Sequence, residues 1–368
     1  MAGFLKVSTI NSQKFQLKRE NRDTRTRNSE AEKATAVSYP CLIQGASDRM
    51  SYTEVILMVI FSILVVVNLM GNTLVCVVVL RTKSMRVPMN YLLINLAAAD
   101  IAFAVFVAPQ YIFRPFFQHP SPPLGDFLCK VATGGSLSWV GTAAAVFTLV
   151  LIAFERYNSI LFPLSNIRRL TAKKIGRGIL ASWLVAVVSE IPAIIVMKYS
   201  KQHEICIEEW PDIRYARAYT LMTFFIDFAL PFTLMAVLYG RVIQKIWTRQ
   251  SSSSTQVVLL QRRKKVTKLL LIVTVLHGVF LMPDTITYVL SYFGFKYGSI
   301  AYKVGTVLVC LNSTVNPFLY SLRSERFRRS LRRLLRWKTK SFHLTYKSKE
   351  KNSVVLRSST KQENSSLN

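Results

Sequence analysis

The chain has 368 residues, of which 51% are hydrophobic, and its formal net charge is +29. Such a charge could indicate nucleic-acid binding, but the basic residues lie between long apolar segments, where they favour one side of a membrane and its anionic lipids. The distribution of the apolar residues also excludes a large soluble protein, which the composition alone would allow. The sequence shows no metal-ligand cluster and no pairing of a nucleophile with a base, so it does not support an enzyme.

Seven apolar segments follow one another, and each is long enough to cross about 30 Å of hydrocarbon as a helix. Irregular backbone cannot face lipid, so all seven are predicted to be helices. The predicted spans are Val55–Leu80, Met89–Phe113, Val131–Ile152, Ile179–Met197, Tyr219–Leu238, Leu269–Tyr292 and Ile300–Tyr320. The predicted fold is therefore an all-α membrane protein with a seven-helix bundle over residues 53–322, preceded by a disordered tail over residues 1–52.

The loops between the spans differ in charge, which predicts the orientation of the chain. Arg81–Pro88 and Arg241–Lys268 carry basic residues and no acid, whereas Lys198–Arg217 carries Glu204, Glu208, Glu209 and Asp212. Basic loops stay on the cytoplasmic side. We therefore expect a multi-pass plasma-membrane protein with an extracellular N-terminus and a cytoplasmic C-terminus, although the N-terminal tail is itself mildly basic. No earlier apolar segment serves as a leader, so the first span is expected to act as its own insertion signal.

Residues 323–338 are predicted to form an amphipathic eighth helix on the membrane surface. Phe327, Leu331, Leu334 and Leu335 recur at helical spacing, and arginines fill much of the remaining face. Residues 339–368 are rich in Ser, Thr and Lys and are predicted to be a disordered cytoplasmic tail. Its hydroxyls are candidate sites for a receptor kinase and for arrestin recruitment.

The cysteines divide by their depth in the predicted bundle. Cys129 and Cys206 lie on the outer side, where an oxidising environment allows a disulfide. Cys76 and Cys310 lie within spans and are expected to be packed thiols. Cys41 remains in the outer tail, and the sequence does not identify a partner for it.

Several dispersed motifs carry a family resemblance. They are Gly71-Asn72 in the first span, Asn95 to Asp100 in the second, Glu155-Arg156-Tyr157 after the third, Trp183 and Pro192 in the fourth, Pro231 and Tyr239 in the fifth, Pro283 in the sixth and Asn312 to Tyr320 in the seventh. In this order the chain resembles the rhodopsin-like (class A) G-protein-coupled receptors over about residues 54–337, and within them the neuropeptide receptors most.

The resemblance implies a set of residues that switch the receptor and couple it to a heterotrimeric G protein. That set is Glu155, Arg156, Tyr157, Tyr239, Lys265, Pro283, Asn316, Pro317 and Tyr320. It also implies an allosteric sodium ion held by Asp100, Asn312, Ser313 and Asn316. Ala145 stands where the family usually places a serine, which counts against the sodium site.

The chain also departs from the family. Leu281 and His277 replace a tryptophan and a phenylalanine of the sixth span, and they share one helix face with Asp284. Cys129 precedes Arg156 by 27 residues, two more than the usual spacing. We therefore expect a bulge, near Gly134-Gly135 or Gly141, or a Cys129 that lies before the helix begins.

The residues predicted in the outer half of the bundle favour a short basic peptide as the ligand. One form of such a peptide would end in an amidated aromatic residue. The seventh span has Cys310 where a retinal Schiff base needs a lysine, and the third span has no acid that would hold a monoamine. The candidate ligand-binding residues are Gln110, Ser138, Glu190, Glu209, Asp227, Asp284 and Tyr288. A chemosensory or lipid receptor of the same fold is the first alternative. A seven-helix transporter is the second, although the sequence shows none of the repeated halves that transporters often have.

The inner end of the sixth span is basic, from Arg262 to Lys265, where many relatives have an acid that pairs with the arginine of the triplet. Glu155 is then the nearest acid to Arg156, and Thr267 offers a hydroxyl. We therefore expect a weakly held resting state with measurable basal activity.

Overall fold

The computed structural model describes residues 52–116, 118–162, 170–202, 204–248, 254–294, 299–325 and 327–334. Of the disordered tails predicted at residues 1–52 and 339–368, all residues but Tyr52 lie outside the described residues, and so do Cys41 and the kinase-site hydroxyls. Leu335 of the predicted eighth helix also lies outside them. Tyr52 is the first residue of a helix.

Within the described ranges, seven long helices form the bundle, which confirms the predicted fold class. They are α1 (Tyr52–Arg81), α2 (Pro88–Phe113), α3 (Leu124–Leu161), α4 (Ala172–Val196), α5 (Ile213–Trp247), α6 (Ser254–Ser291) and α7 (Ser299–Arg323). Two short 3-10 turns, Lys83–Met85 and Arg114–Phe116, adjoin α2. Two strands, β1 (Met197–Ser200) and β2 (Ile205–Glu208), form a hairpin between α4 and α5.

Six of the described helices, α1 to α6, are long and apolar enough to cross a membrane by length and composition. The helix α7 has the necessary length but carries several polar residues. Its Asn312, Ser313, Thr314 and Asn316 are all buried. Because these polar side chains face other helices rather than lipid, α7 completes the bundle without being uniformly hydrophobic.

Three of the helices contain a π-turn, where one extra residue widens the helical turn. The π-turns are Pro109–Phe113 in α2, Cys129–Thr133 in α3 and Phe224–Ala229 in α5. In α3 the π-turn is followed by Gly135, whose φ of 81° is left-handed, and a regular helix then begins at Ser136. This irregularity absorbs the long Cys129–Arg156 spacing and confirms the bulge predicted near Gly134-Gly135.

The helix α3 remains regular at Gly141, the other predicted position of the bulge. A Cβ added there would lie 2.8 Å from the carbonyl oxygen of Ala99 in α2. Gly141 therefore allows two helices to approach closely and does not bend the chain.

The helix α3 lies at the centre of the bundle, where it packs against α2, α4 and α5. A polar bridge joins three of these helices in the middle of the bundle. The amide nitrogen of Asn95 donates to the Thr148 hydroxyl at 2.7 Å, and the Trp183 indole donates to the amide oxygen of Asn95 at 2.9 Å. Such satisfied buried contacts fix the order and rotation of α2, α3 and α4.

The hairpin covers one end of the bundle, which we call the outer end after the predicted orientation, and the opposite end is called the inner end. Its antiparallel register pairs Met197 with Glu208 and Tyr199 with Cys206. The predicted disulfide between Cys129 and Cys206 is present and ties β2 to the π-turn of α3. A carboxylate oxygen of Asp126 also accepts the backbone N–H of Tyr199 at 2.8 Å.

Residues 327–334, which we call α8, are helical and lie at the inner end. Phe327 is buried in the inner core cluster, and Leu331 and Leu334 pack against that cluster. Arg328 and Arg329 are exposed. The apolar side of α8 therefore contacts the bundle, and its basic side is left for solvent and lipid headgroups.

Candidate functional site

A cavity opens at the outer end of the bundle, beneath the hairpin. It is bounded by residues from α2 to α7 and from β2, and its volume is about 1010 Å³ including the open mouth. Aromatic side chains form part of its wall, namely Trp139, Tyr219, Phe228, Tyr288 and Tyr302. The cavity is therefore open to the outside and partly apolar, as a site for part of an extended ligand needs to be.

Four carboxylates also line this cavity: Glu190, Glu208, Asp227 and Asp284. Glu190 accepts a hydrogen bond from the Tyr219 hydroxyl at 3.4 Å, and Asp284 accepts one from the Thr306 hydroxyl at 3.2 Å. The lining contains no Lys, Arg or His among the described residues. The described lining thus offers acidic groups and no basic ones, which suits a cationic group of a ligand.

Glu208 is the most heavily hydrogen-bonded of these acids. Its Oε2 accepts from the Tyr292 hydroxyl at 2.7 Å, from the Trp210 indole at 2.9 Å and from the Tyr288 hydroxyl at 3.1 Å. Burial raises the pKa of the Glu208 carboxyl above its ordinary value, and these hydrogen bonds to the charged form lower the pKa again in part. Because Tyr288 belongs to α6 and Tyr292 directly follows its last residue, Glu208 also links the hairpin to the outer end of that helix.

Five of the seven predicted ligand-binding residues line the cavity: Gln110, Glu190, Asp227, Asp284 and Tyr288. Ser138 and Glu209 do not. The Ser138 hydroxyl donates to the backbone carbonyl of Gly135 at 2.6 Å, within α3. Glu209 is half-exposed and forms an ion pair with Lys198 at 2.9 Å. These two residues therefore lie away from the cavity wall, and their role in ligand binding stays a prediction.

The position of Glu209 away from the cavity has a simple physical cause. Successive side chains of a strand point to opposite faces, so only one of two adjacent glutamates can face the cavity. Cys206 and Glu208 share the cavity face of β2, and Glu209 follows on the other side. The disulfide already indicated which face points inward. Counting two residues on from Cys206 would have identified Glu208.

Most of the α3 residues that line the cavity were not predicted from the sequence. Ser136, Trp139, Ala143 and Val146 line the cavity at intervals of three and four residues. This is the spacing of one helix face. Their face could be assigned only once the π-turn and Gly135 had set where the regular helix begins.

A second group of polar residues lies in the middle of the bundle, below the cavity. Asp100 is buried, and its Oδ2 accepts from the amide nitrogen of Asn316 at 2.8 Å. The amide nitrogen of Asn312 lies 2.8 Å from Nδ1 of His277. The two asparagines thus connect α7 with α2 and with α6.

The fit of this group to a sodium ion is mixed. Ser313 lies beside the Asp100 carboxylate, whose Oδ1 has no hydrogen-bond partner among the described residues, and this suits a small cation. Ala145 contributes no side-chain oxygen, and Asn312 already contacts His277. Asp100 and Ser313 are therefore the residues best placed to hold an ion.

The inner end contains the charged triplet. The Arg156 guanidinium pairs with the carboxylate of Glu155, its neighbour in α3. Tyr157 packs against α5 residues, including Val242. The Thr267 hydroxyl of α6 is buried and has no hydrogen-bond partner among the described residues. Thr267 therefore does not hold Arg156 in this arrangement.

The remaining predicted switch residues also surround the inner end or the helix bends. Tyr239 and Tyr320 are buried in the inner core cluster, and Lys265 is exposed. Pro283 and Pro317 lie inside α6 and α7. Asn316 is the asparagine that binds Asp100. Their roles in coupling stay predictions.

Comparison with known proteins supports the same conclusion as the geometry. Residues 71–320 match the model of the 7 transmembrane receptor (rhodopsin family). The chain is 30% identical over 288 residues to the allatostatin-A receptor of Bombyx mori, covering 75% of this chain and 78% of that receptor.

Two further relatives show a similar extent of likeness. The chain is 28% identical to the QRFP-like peptide receptor of Branchiostoma floridae, over 77% of this chain and 78% of that protein. It is 26% identical to the human galanin receptor type 1, over 76% of this chain and 81% of that receptor. The seven-helix bundle, the outer disulfide and these matches together show that the chain belongs to the rhodopsin family of seven-transmembrane receptors, and is a multi-pass membrane protein and not an enzyme.

Proposed function

We propose that this receptor binds a short basic neuropeptide in its outer cavity and transmits that event to a heterotrimeric G protein at its inner end. The observation that carries the proposal is the cavity wall, with four carboxylates and no basic side chain among the described lining residues. A buried carboxylate is costly without a partner, and a guanidinium or ammonium group of a ligand would supply one. The proposal includes a plasma-membrane location with the N-terminus outside.

The relatives support a peptide over other ligand classes. Each of the three is named as a receptor of a peptide: allatostatin-A, a QRFP-like peptide and galanin. The aromatic side chains of Trp139 and Phe228 give the wall a surface on which an aromatic end of such a peptide could pack. The basic group would then approach Glu208, Asp227 or Glu190.

Signalling in this proposal is a population shift between two packings of the bundle. Ligand contacts with α5 and α6 favour the packing in which the inner end of α6 lies farther from α3. Pro283 in α6 and Pro317 in α7 interrupt backbone hydrogen bonds, so these helices can bend there. A groove that includes Arg156 and Tyr239 then opens, and a helix of the G protein binds in it.

Further partners are proposed from the composition of the C-terminal tail. Ser and Thr residues after Thr339 would be phosphorylated by a receptor kinase and would recruit arrestin. We also propose sodium as an allosteric ion, held by Asp100 and Ser313, with Asn316 orienting the carboxylate. When bound, it would neutralise the buried Asp100.

A reporter assay tests the proposal. The receptor is expressed with a promiscuous G protein and exposed to synthetic allatostatin-A, QRFP-like and galanin peptides, to lipids and to amines. We expect a response to a peptide with an Arg or Lys, and a loss of at least about tenfold in potency when that residue is replaced by citrulline or Gln.

Other outcomes would contradict it. A response to lipids or odorants, with none to peptides, would favour the chemosensory or lipid alternative. Ion current or solute uptake without any activation of G protein would favour a transporter. Equal potency of the charged and neutral peptides would remove the role of the acidic wall.

A further inference from the structure

A row of aromatic rings leads from the cavity into the middle of the bundle. Phe224, Phe228 and Phe232 are spaced by four residues along α5, with ring centroids 5.9 Å and then 4.9 Å apart. Phe228 lines the cavity. Phe232 stacks on the imidazole of His277 in α6, with centroids 6.3 Å apart and planes inclined by 29°. The row therefore connects the cavity wall to a buried polar residue.

Phe232 contacts α6 through a second residue as well. A Cβ added at Gly278 would lie 2.9 Å from Cε1 of the Phe232 ring. The ring thus rests directly on the backbone of α6 beside His277. Since a close-packed contact transmits displacement, a movement of α5 at Phe228 has to be accommodated at His277.

His277 makes a directional contact with α7 on its other side. It is 2% exposed, and its Nδ1 lies 2.8 Å from the amide nitrogen of Asn312. With the amide nitrogen of Asn312 facing the ring, Nδ1 of His277 is the acceptor of this contact. Nε2 has no hydrogen-bond partner among the described residues. One nitrogen of the ring is satisfied by α7 and the other is not.

Asn312 belongs to the polar face of α7 that also holds α2. Asn316, one turn along the same face, donates to Asp100. The contact between His277 and Asn312 is therefore the α6 branch of a network that already joins α7 to α2. Breaking this branch would loosen α6 from α7 in the middle of the bundle, while the Asp284–Thr306 hydrogen bond between the same helices and the attachment of α2 would stay in place.

We propose that His277 is the positioning residue that couples the ligand cavity to α7. In the resting state its ring is held between Phe232 and Asn312. A ligand that displaces Phe228 moves Phe232, weakens the hydrogen bond between His277 and Asn312, and lets α6 move away from α7. This inference rests on the proposed receptor function, but it does not depend on the ligand being a peptide.

The test uses ligand-free signalling of the full-length receptor with the promiscuous reporter, at matched surface expression. His277→Phe and Asn312→Ala are each expected to raise basal signalling about threefold or more, and the double variant no further than the larger single effect. His277→Gln keeps an acceptor for the Asn312 amide and is expected to restore most of the resting level. Val279→Ala, two residues further along α6 at a position 55% exposed, is the control.

A second measurement does not require a G protein. Thermal unfolding of the same variants, purified in detergent, should show that the losses in Tm from His277→Phe and Asn312→Ala are smaller together than their sum. Additive effects in either measurement would overturn the proposal, as would unchanged basal signalling in His277→Phe. A wild-type receptor that activates no G protein with any ligand, but keeps the coupling in Tm, would instead contradict the proposed function alone.

Discussion

The outer and inner ends of this bundle are held together in different ways. At the outer end, the disulfide ties β2 to α3, and Glu208 of β2 accepts hydrogen bonds from Tyr288 of α6 and from Tyr292 just after it. Arg217 of α5 donates to the backbone carbonyl of Tyr292 at 3.0 Å. At the inner end, Arg156 pairs with Glu155, its neighbour in the same helix. That ion pair links no two helices.

The difference teaches where the receptor can move. Covalent and charge-assisted contacts between elements fix the outer ends of α3, α5 and α6 relative to the hairpin. The inner end of α6 presents basic residues and a buried Thr267 hydroxyl without a partner among the described residues. The outer helix ends are linked to one another, whereas in the described part of the chain no ion pair of Arg156 links α3 to α6 at the inner end. A small displacement of helices at the outer end can then produce a larger displacement of α6 at the inner end.

The largest expected effect comes from removing the charge of Glu208. Glu208→Gln should lower the potency of an arginine-containing peptide agonist by about 10- to 100-fold, because a hydrogen bond to a charged group contributes about 1.5–3 kcal/mol. Dose–response curves at matched surface expression measure it.

Glu209→Gln is the matched control for this substitution. Glu209 is the adjacent residue, and it forms a half-exposed ion pair with Lys198. Such pairs contribute less than about 1 kcal/mol, so the loss of potency should be less than about fivefold. Equal losses in the two variants would mean that the strand does not orient Glu208 into the ligand site.

Gly135→Ala should weaken the outer end itself. The residue has a φ of 81°, and an alanine there would be strained by about 1–2 kcal/mol. Its Cβ would also lie 2.2 Å from the Gln110 side-chain oxygen, which would have to move. We expect a Tm lower by several degrees in thermal unfolding of the purified receptor. Gly176→Ala in α4, where a Cβ meets nothing within 4 Å, should leave Tm unchanged or higher.

Glu155→Gln should loosen the inner end further. Arg156 would lose its charged partner, and basal signalling should rise several-fold, since each 1 kcal/mol changes a two-state ratio by roughly fivefold. Glu325→Gln removes an exposed pair with Arg329 in the inner region and should have no effect. An unliganded receptor that is silent, and that stays silent in Glu155→Gln, would contradict the weakly held resting state.

The smallest expected effect is on pH dependence. Burial raises the pKa of Glu208 above 4.5, so its charge is lost, as the pH falls, earlier than that of an ordinary glutamate. The arginine of a peptide stays charged, so affinity should decrease on acidification. It should be about twofold weaker at the pH where half of the Glu208 carboxyls are protonated. Radioligand binding in Glu208→Gln should lack this component, and an identical pH profile in both receptors would exclude Glu208 as its source.

The sequence was sufficient for the features that depend on composition and on spacing within one helix. The seven helices and the face shared by Asn312 and Asn316 follow from hydropathy and helical period, and the outer location of the two disulfide cysteines follows from the charge of the loops. The irregularity of α3 near Gly134-Gly135 was expected from the comparison of its Cys129–Arg156 spacing with that of the family it resembles. These features depend on composition or on spacing along the chain, so they can be predicted without knowing how the helices pack.

It was insufficient where a contact depends on the phase of a strand or on the packing of two elements. Glu209 was predicted as a ligand-binding residue, whereas Glu208 lines the cavity. Side chains alternate along a strand, and Cys206 fixes which face points inward. The contact of His277 with Asn312 required the relative rotation of α6 and α7, which only the assembled bundle fixes. Both cases depend on which neighbour a polar side chain contacts after folding, and the residue pattern of a single helix or strand does not contain that information.

The contrast between the two ends can be measured as distances between α4 and α6 in the unliganded receptor. Nitroxide labels at Ile195 and Ile286 report the outer end, and labels at Lys173 and Lys268 report the inner end, all four being exposed positions. Cys41, Cys76 and Cys310 would be replaced by alanine. Pulsed dipolar spectroscopy should give one narrow distance for the outer pair and a broad or two-component distribution for the inner pair. An inner distribution as narrow as the outer one would contradict the weakly held resting state.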